Sequence, residues 1–191
     1  MYIILIILVV LILAFIGFYN RLVRLRVRSE EAWADLDVQL TRRYDLIPNL
    51  VETVKGYASH ERATLEEVLA ARAKATSVNV DIGSASAEQL TQMASAEAGL
   101  SSALGRLMAV AEAYPDLKAN QNFLELQTEL TDTENKIQAA RRFYNTNVRD
   151  LNVAIESFPG NVLAKSFGFS KREFFELEAN SVEREPVKVN F

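Results

Sequence analysis

The stretch QLTRRYDLIPNLVETVKG, Gln39 to Gly56, decides how this chain folds. Leu40, Tyr44, Ile47, Leu50 or Val51, and Val54 recur at steps of three and four, the spacing of a buried helical stripe. Pro48 stands in the middle of it. A proline donates no backbone hydrogen bond, and its ring clashes with the carbonyl four residues back, here that of Tyr44. The apolar step keeps its phase across Pro48. A kinked helix is therefore expected, in preference to a corner between two helices with Asp45 capping the second. Arg42, Arg43 and Asp45 lie just before the proline, and Arg141 and Arg142 lie just before Phe143 and Tyr144. These charges read either as a solvated helix face or as a girdle. In the second reading arginine satisfies the freed carbonyl or pairs with Asp45, and locks the first long helix to the third.

Toward the N-terminus, Tyr2 to Tyr19 reads YIILIILVVLILAFIGFY, with no charge and no proline. At about 1.5 Å of rise per residue this makes about 27 Å of helix, close to the hydrocarbon thickness of a bilayer. Tyr2 at one end and Phe18 and Tyr19 at the other suit the membrane interface. A cleaved signal peptide would want a basic start, a shorter apolar core and a small-x-small site, so an uncleaved transmembrane anchor is expected. Arg21, Arg24, Arg26 and Arg28 follow at once. They are candidate contacts for lipid phosphates. Their position after the span predicts an N-terminus outside and a body in the cytoplasm, the opposite topology remaining open. No glycine or proline lies between Phe18 and Pro48, so anchor and first body helix read as one rod.

Beyond Pro48 the helical step continues through Leu65, Val68 and Leu69 and fades near Lys74. TSVNVDIGSA, Thr76 to Ala85, is a loop. Ser86 opens a second helix, with Gln89 placed to complete a capping box. Its stripe of Leu90, Met93, Leu100, Leu104 and Leu107 is flanked by Ala94, Ala96, Ala98, Gly99, Ala103 and Gly105, small enough for close helix approach. A third helix steps from Phe123 to Phe158 and stops at Phe-Pro-Gly. Its Asn145, Asn147 and Asn152 read as a solvated face or as hydrogen bonds across a helix pair. The fold expected is all-α: a transmembrane helix (1–20) continuous with an antiparallel bundle of three long helices, the first kinked at Pro48 (21–160), and an aromatic-rich C-terminal segment (161–191). Val162 to Phe169 suits a short helix docking on the bundle or on lipid. Phe167, Phe169, Phe174 and Phe175, with the alternating Val187, Val189 and Phe191, have no evident partner in the chain and are self-assembly candidates.

Composition narrows the function. With 7 Gly and 4 Pro the chain favours long helices over strands and turns. Once the four membrane-proximal arginines are set aside, seventeen basic residues face twenty-five acidic ones, a balance unlike that of a nucleic-acid binder. The absence of cysteine excludes disulfides and thiolate metal sites, and the single histidine, His60, excludes any site needing two imidazoles from one chain. His60 lies in ASHERAT and reads as a solvated surface residue, as do Glu66, Glu67 and the run ELTDTEN. No phosphate-cradling loop, nucleophile elbow or paired Glu-x-x-His motif is present, so no catalytic, cofactor or metal residue is assigned.

Two long segments and the terminus carry a resemblance. RVRSEEAWADLDVQLTRRYDLIPNLVETVKGYASHE, YPDLKANQNFLELQTELTDTENKIQAARRFYNTNVRDLNVAIESFPGNVLAKSFGF and VKVNF together resemble the LemA family of bacterial membrane proteins. The resemblance implies a single-pass protein with a soluble helical bundle, no enzymatic activity and no catalytic residues. Some relatives are implicated in building or shaping specialised bacterial membranes. The function expected is that of a scaffold in the bacterial cell membrane, whose partners are the lipid bilayer and further copies of itself. A monomeric membrane-tethered adaptor for a protein or peptide is the other reading.

Overall fold

The computed structural model describes residues 2–176; Val187, Val189 and Phe191 lie outside them. The described residues form α1 (Tyr2–Tyr57), α2 (Arg62–Ser77), α3 (Ala87–Ala111), α4 (Pro115–Lys118), α5 (Gln121–Glu156) and α6 (Gly160–Phe167), with no strand among them. The all-α class follows directly. The chain divides into two compact units. Among the described residues, one draws on 2–37 and 138–174, the other on 38–137 and 175–176.

In the second unit the apolar stripe on the C-terminal half of α1 is buried as its period requires. Ile47, Leu50, Val51 and Val54 share a core with Leu65 and Val68 of α2, Leu100, Leu104 and Leu107 of α3, Leu117 of α4, and Phe123 and Leu130 of α5. Ala96 and Ala103 are buried in the same core and let α3 approach closely. The capping box at Ser86 forms in both directions: the Gln89 amide donates to the Ser86 hydroxyl, and the Ser86 amide donates to the Gln89 side chain. Tyr114 precedes α4, whose first position is Pro115, where a missing N–H costs nothing.

Helix α1 stays helical through Pro48, and the chain turns earlier than its apolar pattern suggests. The run expected to continue to Lys74 breaks between Tyr57 and Arg62. Ala58, buried, ends α1 by donating to the Val54 carbonyl, while Ser59 and His60 are exposed at the turn. Reversal there brings Leu65, Val68 and Ala75 onto the same core as Ile47 to Val54. A straight continuation would have carried them away from it. The periodicity could not reveal this corner, because both arms of the hairpin keep a helical step.

That corner also answers the question raised by Pro48. The Tyr44 carbonyl accepts a hydrogen bond from Nε of Arg72 at 2.7 Å. Tyr44 and Arg72 are equidistant from Ala58 along the chain, so they come level when α2 folds back. An arginine does meet the freed carbonyl, but it comes from α2 and not from the cluster beside the proline.

In the first unit Leu22, Leu163 and Ala164 form a small core with Phe18, Ala154, Ile155 and Phe169. Gly160 is buried where α6 leaves α5, and a Cβ there would overlap the Ala154 carbonyl oxygen, which is why the turn takes glycine. Gly168 ends α6 at φ 70°, with the Phe169 amide reaching back to the Ala164 carbonyl at 3.0 Å.

The pairing of Pro48 with Arg72 predicts non-additivity. Arg72→Ala should cost about 1–3 kcal/mol by leaving the Tyr44 carbonyl without a donor. Pro48→Ala restores a donor in the helix itself, so in that background the cost of Arg72→Ala should fall by about 1 kcal/mol or more. Urea unfolding of the four variants of this cycle, followed by circular dichroism, reads the difference directly.

Candidate functional site

Two constellations stand out, one in each unit. In the second unit, Arg43 is 1% exposed. It sits on the α1 face whose neighbours are Leu40 and Ile47, both buried. A guanidinium cannot remain there without partners. Its Nη2 pairs with the Glu97 carboxylate of α3, itself buried, and its Nη1 donates to Glu134 of α5 at 2.8 Å and to the Ser101 hydroxyl at 3.3 Å. The Tyr44 hydroxyl donates to the other oxygen of Glu97. Among the described residues, Nε of Arg43 and Oε1 of Gln39 lack partners. They are a donor and an acceptor one turn apart on α1. One cation thus ties α1 to α3 and α5, at a desolvation cost that two carboxylates offset.

Of the residues that the girdle reading names, this cluster contains one. Arg43 belongs to it. Arg42 and Asp45 are exposed, and Arg141 is half-buried and Arg142 exposed without an ion pair among the described residues. Glu134 lies in ELTDTEN, which reads as a wet face; there Thr133 is fully buried and Glu134 half-buried. Glu97 sits in an alanine-rich stripe. The one signal for it was a lone acid at a core-facing position between Ala94 and Leu100. Asp132 sits on the same exposed stretch as Lys136, whose hydrogen bond holds its carboxyl below the usual range.

In the first unit, a ladder of rings and charges runs along α1. Phe167 packs edge-on against Phe15 at 5.8 Å and Tyr19 at 5.1 Å. Phe169 meets Tyr19 at 5.9 Å, and the Arg26 guanidinium lies 5.2 Å from the Phe169 ring. Further on, Arg172 donates to the Ser29 hydroxyl at 2.6 Å and to Glu30 at 2.6 Å. Phe167, Phe169 and Arg172 thus meet successively later residues of α1, so the segment is a strap laid parallel to that helix.

The strap is held from α5 as well. Asn152 bonds both the amide and the carbonyl of Arg172, at 2.9 and 2.8 Å. The Tyr144 hydroxyl donates to the Glu173 carbonyl at 2.9 Å, and its ring meets Trp33 edge-on at 5.2 Å. Burial pushes the Tyr144 phenol well above its ordinary value, against the opposing charge of Arg172, so the hydroxyl remains a donor. A hydrogen bond to Glu156 raises the Lys171 ammonium, reinforcing that surface pair. Asn152 therefore bonds across to a neighbouring segment, while Asn147 is buried and donates to the Phe143 carbonyl of its own helix.

The sequence-based expectation that the aromatic segment lacks a partner within the chain is corrected for Phe167 and Phe169, which pack on α1, and Phe175 is itself buried. Phe174 stays 42% exposed. Arg21, Arg24, Arg26 and Arg28 all remain exposed, next to the apolar start of α1. The stretch from Tyr2 to Ile16 is exposed throughout, and α1 is the one described helix with a stretch long and apolar enough to cross a membrane. Among the described residues no group of three or more His, Asp or Glu is placed to hold a metal ion.

Comparison with known proteins places this geometry. The family model described as LemA family matches residues 32–191. Magnetosome protein MamQ of Magnetospirillum gryphiswaldense is 28% identical over 174 residues, covering 82% of this chain and 64% of that protein. Magnetosome protein MamQ 2 of Paramagnetospirillum magneticum is 27% identical over 175 residues, covering 83% and 64%. Protein LemA of Metamycoplasma hominis is 27% identical over 173 residues, covering 91% and 74%. The chain thus spans less than two thirds of the length of the MamQ relatives.

Both constellations make separable predictions. Arg43→Leu strands Glu97 in the core and should cost about 3–5 kcal/mol, most of it recovered when Glu97→Leu is added; denaturant unfolding of the single and double variants tests this. Arg172→Ala should release the strap. Amide exchange across residues 168–174, read by mass spectrometry, is expected to rise by about tenfold or more while that of α3 is unchanged.

Proposed function

We propose that this chain, which belongs to the LemA family, is a structural protein anchored in a bacterial cell membrane by the start of α1, and that copies of it assemble there to organise or shape that membrane. One observation carries the reading. Residues 2–16 are all exposed, yet they continue without a break in the helix into the body. Such a stretch in water would be strongly unfavourable, at about 25 cal/mol for each Å² of apolar surface. In a bilayer it is at rest. Because the helix is unbroken at the exit, anchoring fixes the direction in which the chain leaves the lipid.

The four exposed arginines would then lie at the headgroups, each adding about 1 kcal/mol of attraction to anionic lipid. Their side of the span favours a body in the cytoplasm and an N-terminus outside over the opposite topology. The MamQ relatives are named for the magnetosome and not for a reaction, which supports a structural role over catalysis. Phe174, and the tail beyond the described residues with Val187, Val189 and Phe191, are the surfaces through which copies would join.

A second reading, a monomeric adaptor, draws on one feature of the second unit. An open groove of about 380 Å³ lies between α3 and α5, with Leu104, Met108 and Leu130 in its lining and Glu134 at its edge. Electron microscopy and native mass spectrometry of the full chain in detergent separate the two. Particles holding many copies in a regular arrangement are expected. One chain per particle would sink the scaffold and leave the adaptor.

A further inference from the structure

The position of α6 along α1 has a consequence for the membrane surface. This inference rests on the spanning reading above, in which the hydrocarbon boundary falls near Phe18 and Tyr19 and Arg21 is the first charge beyond it. Phe15 lies about 6 Å closer to the bilayer centre than Tyr19, four residues along the helix. The Phe167 ring touches both. The C-terminal end of α6 therefore reaches the level of the span itself, below the boundary.

The other end of the same corner is no less apolar. Phe158 is 83% exposed, beside a cleft lined by Phe18, Arg21 and Leu22. Val153 and Val162 are exposed nearby on α5 and α6, at 55% and 57%. Phe167 keeps 51% of its surface open despite its two ring contacts. These side chains cluster at the end of the first unit where α1 becomes wholly apolar. Lys165, exposed on α6, is placed to remain with the headgroups while its stem follows the apolar surface.

We propose that α6 and the Phe158 corner are a second lipid contact, a short interfacial helix whose Phe158, Val162 and Phe167 enter the acyl-chain boundary beside the span. Acyl chains are favoured over a second copy as the occupant because the patch is continuous with the α1 surface that faces lipid. With two footholds the first unit cannot pivot freely about a single helix. The strap at Arg172, which ties the chain after α6 to Ser29 and Glu30, would fix the depth at which α6 sits.

The test uses the full chain in vesicles of zwitterionic and anionic phospholipid, with Trp33→Phe removing the single native tryptophan. One tryptophan is then placed at a time: Leu8→Trp in the span, Phe158→Trp or Val162→Trp at the corner, and Phe143→Trp on the exposed face of α5, beside Tyr144, whose ring meets Trp33 fourteen residues along α1 beyond Tyr19. Circular dichroism confirms that each folds. With lipids brominated along their acyl chains, Leu8→Trp and both corner variants should lose about half of their emission, and Phe143→Trp almost none. If Leu8→Trp is quenched while both corner variants match Phe143→Trp, the second foothold is wrong and the span stands. If Leu8→Trp is unquenched, the spanning reading fails and takes this one with it. Corner variants shielded from bromine but blue-shifted with rising protein concentration would show a second copy on the patch, and would equally overturn the lipid contact.

Discussion

A helix with a proline in its interior leaves one carbonyl without its usual donor, and here Arg72 supplies that donor from outside. Helix α1 contributes residues to both units. It supplies Ile47 to Val54 to one core, Arg43 to the buried charge cluster, and Phe15, Tyr19 and Arg26 to the aromatic ladder. Within the second unit, a break of α1 at Pro48 would separate Arg43 and Tyr44 from the stripe of Leu50, Val51 and Val54 that packs on the same core. The bond from Arg72 to Tyr44 also ties the hairpin at Ala58 to the continuity of α1. The reversal brings the arginine level, and the arginine makes the proline tolerable.

The buried arginine illustrates a different compromise. An aliphatic residue at position 43 would pack at lower desolvation cost, and buried ion pairs seldom beat well-packed apolar substitutes. What the guanidinium adds is direction. Its planar fork meets carboxylates from α3 and α5 at once, so only one register of those helices satisfies it. In a core otherwise built mostly from leucine, alanine and valine, which interdigitate in many ways, such a contact selects a single arrangement. The cluster reads as an element of specificity in the fold.

The contacts of the first unit change in kind along α1. Toward the apolar start of α1 its contacts are ring on ring. Along the strap they pass through a cation over a ring at Arg26 to ion pairs and hydrogen bonds at Arg172. Such a gradient from apolar to charged matches the change in dielectric across a membrane interface, where aromatic rings sit between lipid tails and headgroups. Proposed as a scaffold, the protein needs a defined attitude to the bilayer, and a graded seam along the emerging helix is a simple way to set one.

Much of this was legible in the residues themselves. Periodicity gave the helical class and the buried stripes, the charge-free run gave the candidate span, and Ser86 with Gln89 marked a helix start to the residue. These depend on neighbours within a turn or two, where geometry follows from spacing alone. The corner at Ala58, the partners of Arg43 and the strap at Arg172 did not. Each joins residues far apart in sequence, and each depends on which of several amphipathic faces meets which. Arg42 and Arg43 are identical in type and adjacent in the chain, yet one is exposed and the other buried, because a helix turns about a hundred degrees between them. The sequence alone determined that long helices form and which stretch prefers lipid. Only tertiary structure decided which charges leave water, since that depends on whether distant carboxylates arrive to receive them.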